Sequence, residues 1–171
     1  MEVFKCVSTL SSIRSYVNKQ VDPEIINEVL QAGRLAPSAH NDQPWEFILI
    51  NEGDSLRELE HYCISGRFIA QAGFAVVVLT DPSSKWHEID GTRAAQNMVL
   101  TAWSHALGSC WIGALDRKGL TEYLNIPGTR HILTVLPFGY FDKRLTTSSK
   151  LRKSPAKVFH LNKYGQRMDA E

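Results

Sequence analysis

The stretch Ala36-Pro37-Ser38-Ala39-His40-Asn41-Asp42-Gln43-Pro44-Trp45 lies between a helical pattern and a strand pattern. Its two prolines fix φ and remove two backbone donors, so the segment is stiff and its remaining N–H groups point in set directions. Ser38, Asn41 and Gln43 offer donors and acceptors at close spacing, which suits the polar edge of a flat heterocycle. The same residues also make a rigid helix-to-strand connection with Trp45 starting the strand, and loop chemistry alone leaves both open.

Working outward, Asp22-Pro23 is a helix start, an N-cap acceptor followed by proline in the first turn. Ile25, Ile26, Val29 and Leu30 continue a buried face until Pro37 stops it. Trp45 to Ile50 reads as a strand ended by Asn51-Glu52-Gly53. Val3, Phe4, Val7 and Leu10 predict a short amphipathic helix ending near Ser11, and Leu56, Leu59 and Tyr62 predict another. Phe74 to Leu79 is apolar on both faces, so it belongs in the middle of a covered sheet. A long helix is expected from about Ser84 to Leu107, with Gly108 as its stop. Its small positions Gly91, Ala94, Ala95, Ala102 and Ala106 suit a central helix or a subunit contact, and equally a buried core helix. Ser109 to Leu115 is a strand pattern, Asp116 caps a short helix to Asn125, and His131 to Tyr140 is the last long strand. From Lys143 the chain is basic and serine-rich and loses its hydrophobic period.

A chain of 171 residues, 43% hydrophobic and 22% charged, fits one soluble domain with a continuous core. A net charge of +1 supplies no global field for nucleic acid or an anionic membrane. No apolar run reaches the ~20 residues of a membrane helix, and Met1-Glu2-Val3-Phe4 does not open a signal peptide. Cys6, Cys63 and Cys110 are odd in number and form no C-x-x-C pair, so reduced thiols in a cytoplasm are the simplest account. The six histidines show no metal-ligand spacing, and no metal is expected.

G-x-G-x-x-G, the P-loop and G-x-S-x-G are all absent, so a bound phosphate needs side-chain cations. Arg14 follows Ser12 after the first helix, and Lys150 and Arg152 lie in the tail. A guanidinium fork matches a phosphate and a nearby hydroxyl adds a donor, although each of these residues alone is more often an ordinary surface charge. In Ile112-Gly113-Ala114 a small residue lets either a ligand or a packing element approach the backbone. Cys110 lies in an apolar strand pattern with no evident histidine partner, which favours a buried thiol over a nucleophile.

Together these segments resemble the FMN-dependent nitroreductase family. The loop is similar to the family's P-S-x-x-N-x-Q-P-W motif, and Ser12-Ile13-Arg14-Ser15-Tyr16 to its R-R-S-x-R-x-[FY] element. Ile89-Asp90-Gly91 through Ala94, Asn97 and Ala102 resembles its central helix. Gly108-Ser109-Cys110-Trp111-Ile112-Gly113 resembles the strand that passes the flavin, and Phe138-Gly139-Tyr140 with Lys150-Leu151-Arg152 its last strand and basic tail. Each motif is short, but they occur in the expected order from about Cys6 to Val158.

The resemblance implies an α+β chain: a three-layer α-β-α nitroreductase-like fold whose central sheet is mixed and mainly antiparallel. Residues 1–171 would form a single domain, with 143–171 an extended basic tail wrapping a partner subunit. It implies FMN as cofactor and NAD(P)H as reductant, with a homodimer sharing its active sites and acting on nitroaromatics, quinones or similar small electron acceptors. Ser12, Arg14, Lys150 and Arg152 fall where the family binds the FMN phosphate and ribityl chain. Ile112, Gly113 and Ala114 pass the ring, Pro37, Ser38, Ala39 and Asn41 reach the flavin of the other subunit, and Gln43 is a further cofactor-binding candidate. His40 and Trp111 are pocket candidates. No catalytic side chain is required, because the flavin carries the redox chemistry. The chain departs from the family at Leu10-Ser11, where two basic residues are usual, which shifts the phosphate onto Lys150 and Arg152 or weakens its binding. Dehalogenation or flavin fragmentation on the same fold, and flavin binding without turnover, are the alternatives.

Overall fold

The computed structural model describes residues 2–146 and 150–168; the parts of the expected tail at 147–149 and 169–171 lie outside them. Helices α1 (Val3–Thr9), α2 (Pro23–Arg34) and α3 (Gly53–Tyr62) interleave with strands β1 (Trp45–Ile50) and β2 (Phe74–Thr80). Then follow α4 (His87–Ser104), β3 (Leu107–Ser109), α5 (Arg117–Tyr123), β4 (His131–Tyr140) and a short α6 (Pro155–Val158). The strands form one sheet in the order β1-β2-β4-β3 with every strand pair antiparallel. Among the described residues, the one parallel pairing is an isolated bridge between Ser12 and Ser109.

β2 shows why the layers are three. Successive side chains of a strand point to opposite faces. Ala75, Val77 and Leu79 pack with Leu56, Leu59 and Leu120 beneath α3 and α5. Phe74, Val76 and Val78 pack with Val29, Ala95 and Met98 beneath α2 and α4. A strand apolar on both faces can sit only between two such layers, and all seven residues of β2 are buried. α2 starts as its sequence predicts, with the Asp22 carboxylate accepting the Glu24 N–H at 2.9 Å. The Asp116 carboxylate likewise accepts from the Gly119 N–H at 3.1 Å and opens α5.

Three expectations are corrected. α4 is shorter than the 84–107 span at both ends, and Gly108 does not stop it. The chain reverses instead at Ala106, φ 59°, and Gly108 sits inside β3, where a Cβ would lie 2.6 Å from the Ile13 side chain. The 109–115 strand pattern gives only the end of β3 at Ser109, followed by two isolated bridges, Ile112 to Val135 and Leu115 to Cys63. α1 ends at Thr9, and its apolar residues Val3, Phe4 and Val7 face outward while Cys6 turns inward.

Candidate active site

The Ile13 N–H donates to the Ser109 carbonyl at 2.9 Å, laying the segment after α1 along the free side of β3. Ile13 is buried at 1% exposure, so Ser12 and Arg14 on either side of it point the other way. They open into a cleft of about 760 Å³, also lined by Gln96, Cys110, Trp111, Lys150 and Arg152. That volume is within the ~300–1,000 Å³ of small-ligand and cofactor sites. The cleft is therefore walled by both ends of the chain together with α4 and the segment after β3.

Its electrostatics favour an anion. Among the described residues lining it are Arg14, Lys150 and Arg152 but no carboxylate, and none of the three makes a salt bridge. Lys150 donates to the Val7 carbonyl at 2.7 Å, which ties the tail to α1 and leaves two ammonium donors for a ligand. Desolvation, with the neighbouring Arg152 charge second, holds the Lys150 amine below its ordinary pKa. A bound anion would relieve that penalty. Burial pushes the Cys110 thiol up, partly offset by Arg14 and by hydrogen bonding with Ser12 and Arg14, so a neutral thiol forms part of the wall. Ser109 Oγ is buried without a hydrogen-bond partner among the described residues, an orphan hydroxyl beneath the same wall.

Ile112 is buried at 1% exposure, and its N–H and C=O both pair with Val135, at 3.1 and 3.3 Å. Its backbone is thus engaged on both sides, whereas the two residues that follow use only their carbonyls, Gly113 accepting from Arg117 at 3.4 Å and Ala114 from the Ile64 N–H at 3.0 Å; none of the three lines the cleft wall. Gly113 and Ala114 are exposed, and among the described residues their N–H groups reach no acceptor. A Cβ on Gly113 would meet only the Trp111 ring, at 3.6 Å, so the space above this backbone is open.

The 36–45 loop lies elsewhere. Pro37, Ser38, Ala39, His40, Asn41 and Gln43 are all absent from the cleft wall. Trp45 and Ala36 anchor the loop's ends on Ala94 of α4. Between them His40, Asn41 and Gln43 adopt φ of 52°, 60° and 48°. Gln43 is exposed and folds back on its own loop, its N–H donating to Ser38 Oγ at 3.0 Å and its amide to the Asn41 carbonyl at 3.2 Å.

Gln96 and Val99 line the cleft without having been expected there. Their spacing with Trp103 puts all three on one α4 stripe. Trp103 donates to Thr9 Oγ1 at 2.9 Å, so the stripe faces the N-terminal segment. Asn97, part of the central-helix resemblance, donates to the Ala32 carbonyl at 3.1 Å and ties α4 to α2.

The model of the nitroreductase family matches residues 10–82 and 57–140. The chain is 34% identical over 149 residues to the "Putative NADH dehydrogenase/NAD(P)H nitroreductase" of Archaeoglobus fulgidus, covering 81% of this chain and 85% of that one. A crystal structure under the same name, from Bacteroides thetaiotaomicron, matches with TM-score 0.83 and 30% identity over 95% of this chain and 98% of that one. An FMN-dependent nitroreductase of Clostridium difficile matches with TM-score 0.80 and 27% identity, over 91% and 96%. With its three-layer fold and the family model matched across most of its length, the chain belongs to the nitroreductase family and is an oxidoreductase.

Proposed function

We propose that the protein is a single-domain FMN-dependent NAD(P)H oxidoreductase that reduces nitroaromatics, quinones or similar small acceptors as a homodimer. The observation that carries this reading is the acid-free cleft where Ser12 and Arg14 meet Lys150 and Arg152. FMN, when bound, supplies the atom that accepts and releases hydride.

The residues present fit such a group. Arg14 and Arg152 offer planar donor forks to a phosphate, Lys150 adds a point charge, and the Ser12 hydroxyl completes the set. Three cations without a carboxylate compensate for the missing basic residues at Leu10-Ser11. Gly113 lies over open space beside Trp111 of the cleft wall, where its N–H and that of Ala114 would hold the polar edge of the ring. Trp111, 43% exposed, shields one side of the cleft from water. One cleft of this size has room for one substrate beside the cofactor, so reductant and acceptor occupy it in turn, a ping-pong order.

The homodimer is supported by exposed apolar residues: Val3, Phe4 and Val7 of α1, with Leu145 and Leu151, of which Val7, Leu145 and Leu151 also line the cleft. Loop residues absent from the wall of their own cleft would be free to serve a partner's. The described parts of the tail, 143–146 and 150–168, are exposed almost throughout, as a segment ordered against a second subunit would be. A cytoplasmic location fits three buried free thiols. In the described residues no helix is long and apolar enough to cross a membrane.

Titration of the purified protein with FMN and with FAD tests the reading. Micromolar or tighter FMN binding, with FAD much weaker, is expected; failure to bind added FMN would overturn it.

A further inference from the structure

We propose that Asp90 is a positioning residue that locks the 36–45 loop in the shape needed to complete the cofactor cleft of the partner subunit. The proposal rests on the shared-site reading above. Asp90 lies in the first turn of α4 with no exposed surface. A carboxylate so deep is unfavourable unless donors and charges answer it. Its Oδ2 accepts the Ala39 N–H at 3.0 Å, and its Oδ1 pairs with the Arg93 guanidinium at 3.0 Å. The positive end of α4 adds a third favourable interaction.

The loop needs such an anchor. His40, Asn41 and Gln43, none of them glycine, hold the left-handed region at φ 52°, 60° and 48°. That backbone persists only where surrounding contacts over-determine it. The Asp42–Ser84 hydrogen bond, at 3.0 Å, is exposed, so Asp90 supplies the buried tie from the loop's middle to the body of the protein. With Ala39 held, Asn41 and Gln43 face solvent, away from their own cleft. Ala39 is left without an N–H for a ligand, which moves the loop's polar contacts onto Ser38, Asn41 and Gln43. Further along the same helix, Gln96 and Val99 form a wall of this protomer's cleft. One helix thus carries the wall of one site and the anchor of the loop that serves the other.

The test crosses two disabled chains. Asp90→Ala and Arg14→Ala are made singly, then co-expressed with different tags so that the mixed dimer is isolated. Each homodimer should lose roughly ten- to hundredfold in NAD(P)H oxidation. The mixed dimer joins an intact cleft to an intact loop at one of its two sites, so it should recover about half of wild-type turnover. Amide exchange gives a readout without cofactor: Ala39 should be protected in the wild type and exchange fast in Asp90→Ala. Asp90→Asn keeps an acceptor for that N–H and should restore protection and most activity; if the alanine variant does not fold, Ala39→Pro, which removes the donated N–H and leaves Asp90 with Arg93, takes its place in the cross. Full activity in the Asp90→Ala homodimer, no recovery in the mixed dimer, or an unprotected Ala39 in the wild type would each overturn the proposal. A wild-type protein that binds no FMN fails at the first control and overturns the functional reading together with the proposal.

Discussion

Ser12 and Ser109 pair across one parallel bridge, and that contact sets the N-terminal strand of the cleft against its floor. The bridge is possible because Gly108 has no side chain: a Cβ there would stand 2.6 Å from Ile13 Cβ and 2.8 Å from the Phe141 ring. Ile13 is buried and branched at Cβ, so it has little freedom to yield.

Gly108→Ala should therefore destabilise the fold by about 1–3 kcal/mol, the range for overpacking a filled core. It should also weaken FMN binding, because Ser12 and Arg14 move with Ile13. Urea unfolding and an FMN titration on the same protein check both; an unchanged unfolding midpoint would contradict the packing argument.

Ala106 carries the left-handed turn between α4 and β3 at φ 59° on an exposed residue. Relieving the Cβ strain outweighs glycine's extra freedom in the unfolded chain. Ala106→Gly should stabilise the protein by about 0.5–1 kcal/mol. A higher thermal midpoint is the expected result.

These two positions also show where the sequence misleads. Glycine after a helical pattern is a sound stop signal, but here alanine takes the strained turn and glycine is needed two residues later by Ile13. β2 and β4 were legible because burial on both faces leaves no polar alternation to misread. The outward face of α1 was not: Val3, Phe4 and Val7 look the same in sequence whether they meet a core or a partner. The pairing of Ser12 and Arg14 with Lys150 and Arg152 joins opposite ends of the chain, and only family resemblance brings them together in advance. Gln96 carried no motif; its stripe with Val99 and Trp103 was the available signal.

Arg14→Ala and Arg152→Ala should each weaken FMN about ten- to hundredfold, the loss of one charge-assisted hydrogen bond of roughly 1.5–3 kcal/mol. Lys150→Ala should also free the tail from α1, since its amine holds the Val7 carbonyl. Increased proteolysis near residue 150 is then expected alongside weaker binding. Unchanged FMN affinity in Arg14→Ala would remove the phosphate assignment.

His131 gives the fold a pH dependence. Desolvation first, then Arg117 and His87, hold its pKa below the ordinary value of 6.5 despite Glu88 at 3.5 Å. The unfolded chain then binds a proton that the folded chain resists, so stability is complete above about pH 6.5 and falls as the pH drops below it. The thermal midpoint should decline on acidification through this window, and His131→Gln should flatten the decline. An equal slope in the variant would assign the effect to other groups.

The most direct measurement is the absorption spectrum of the FMN-loaded protein under anaerobic conditions, followed as NADPH or NADH and then a quinone are added. The flavin should bleach with the reductant and regain its colour, in proportion, with the quinone. A protein that binds FMN at the cleft yet stays oxidised with both nicotinamides would contradict it.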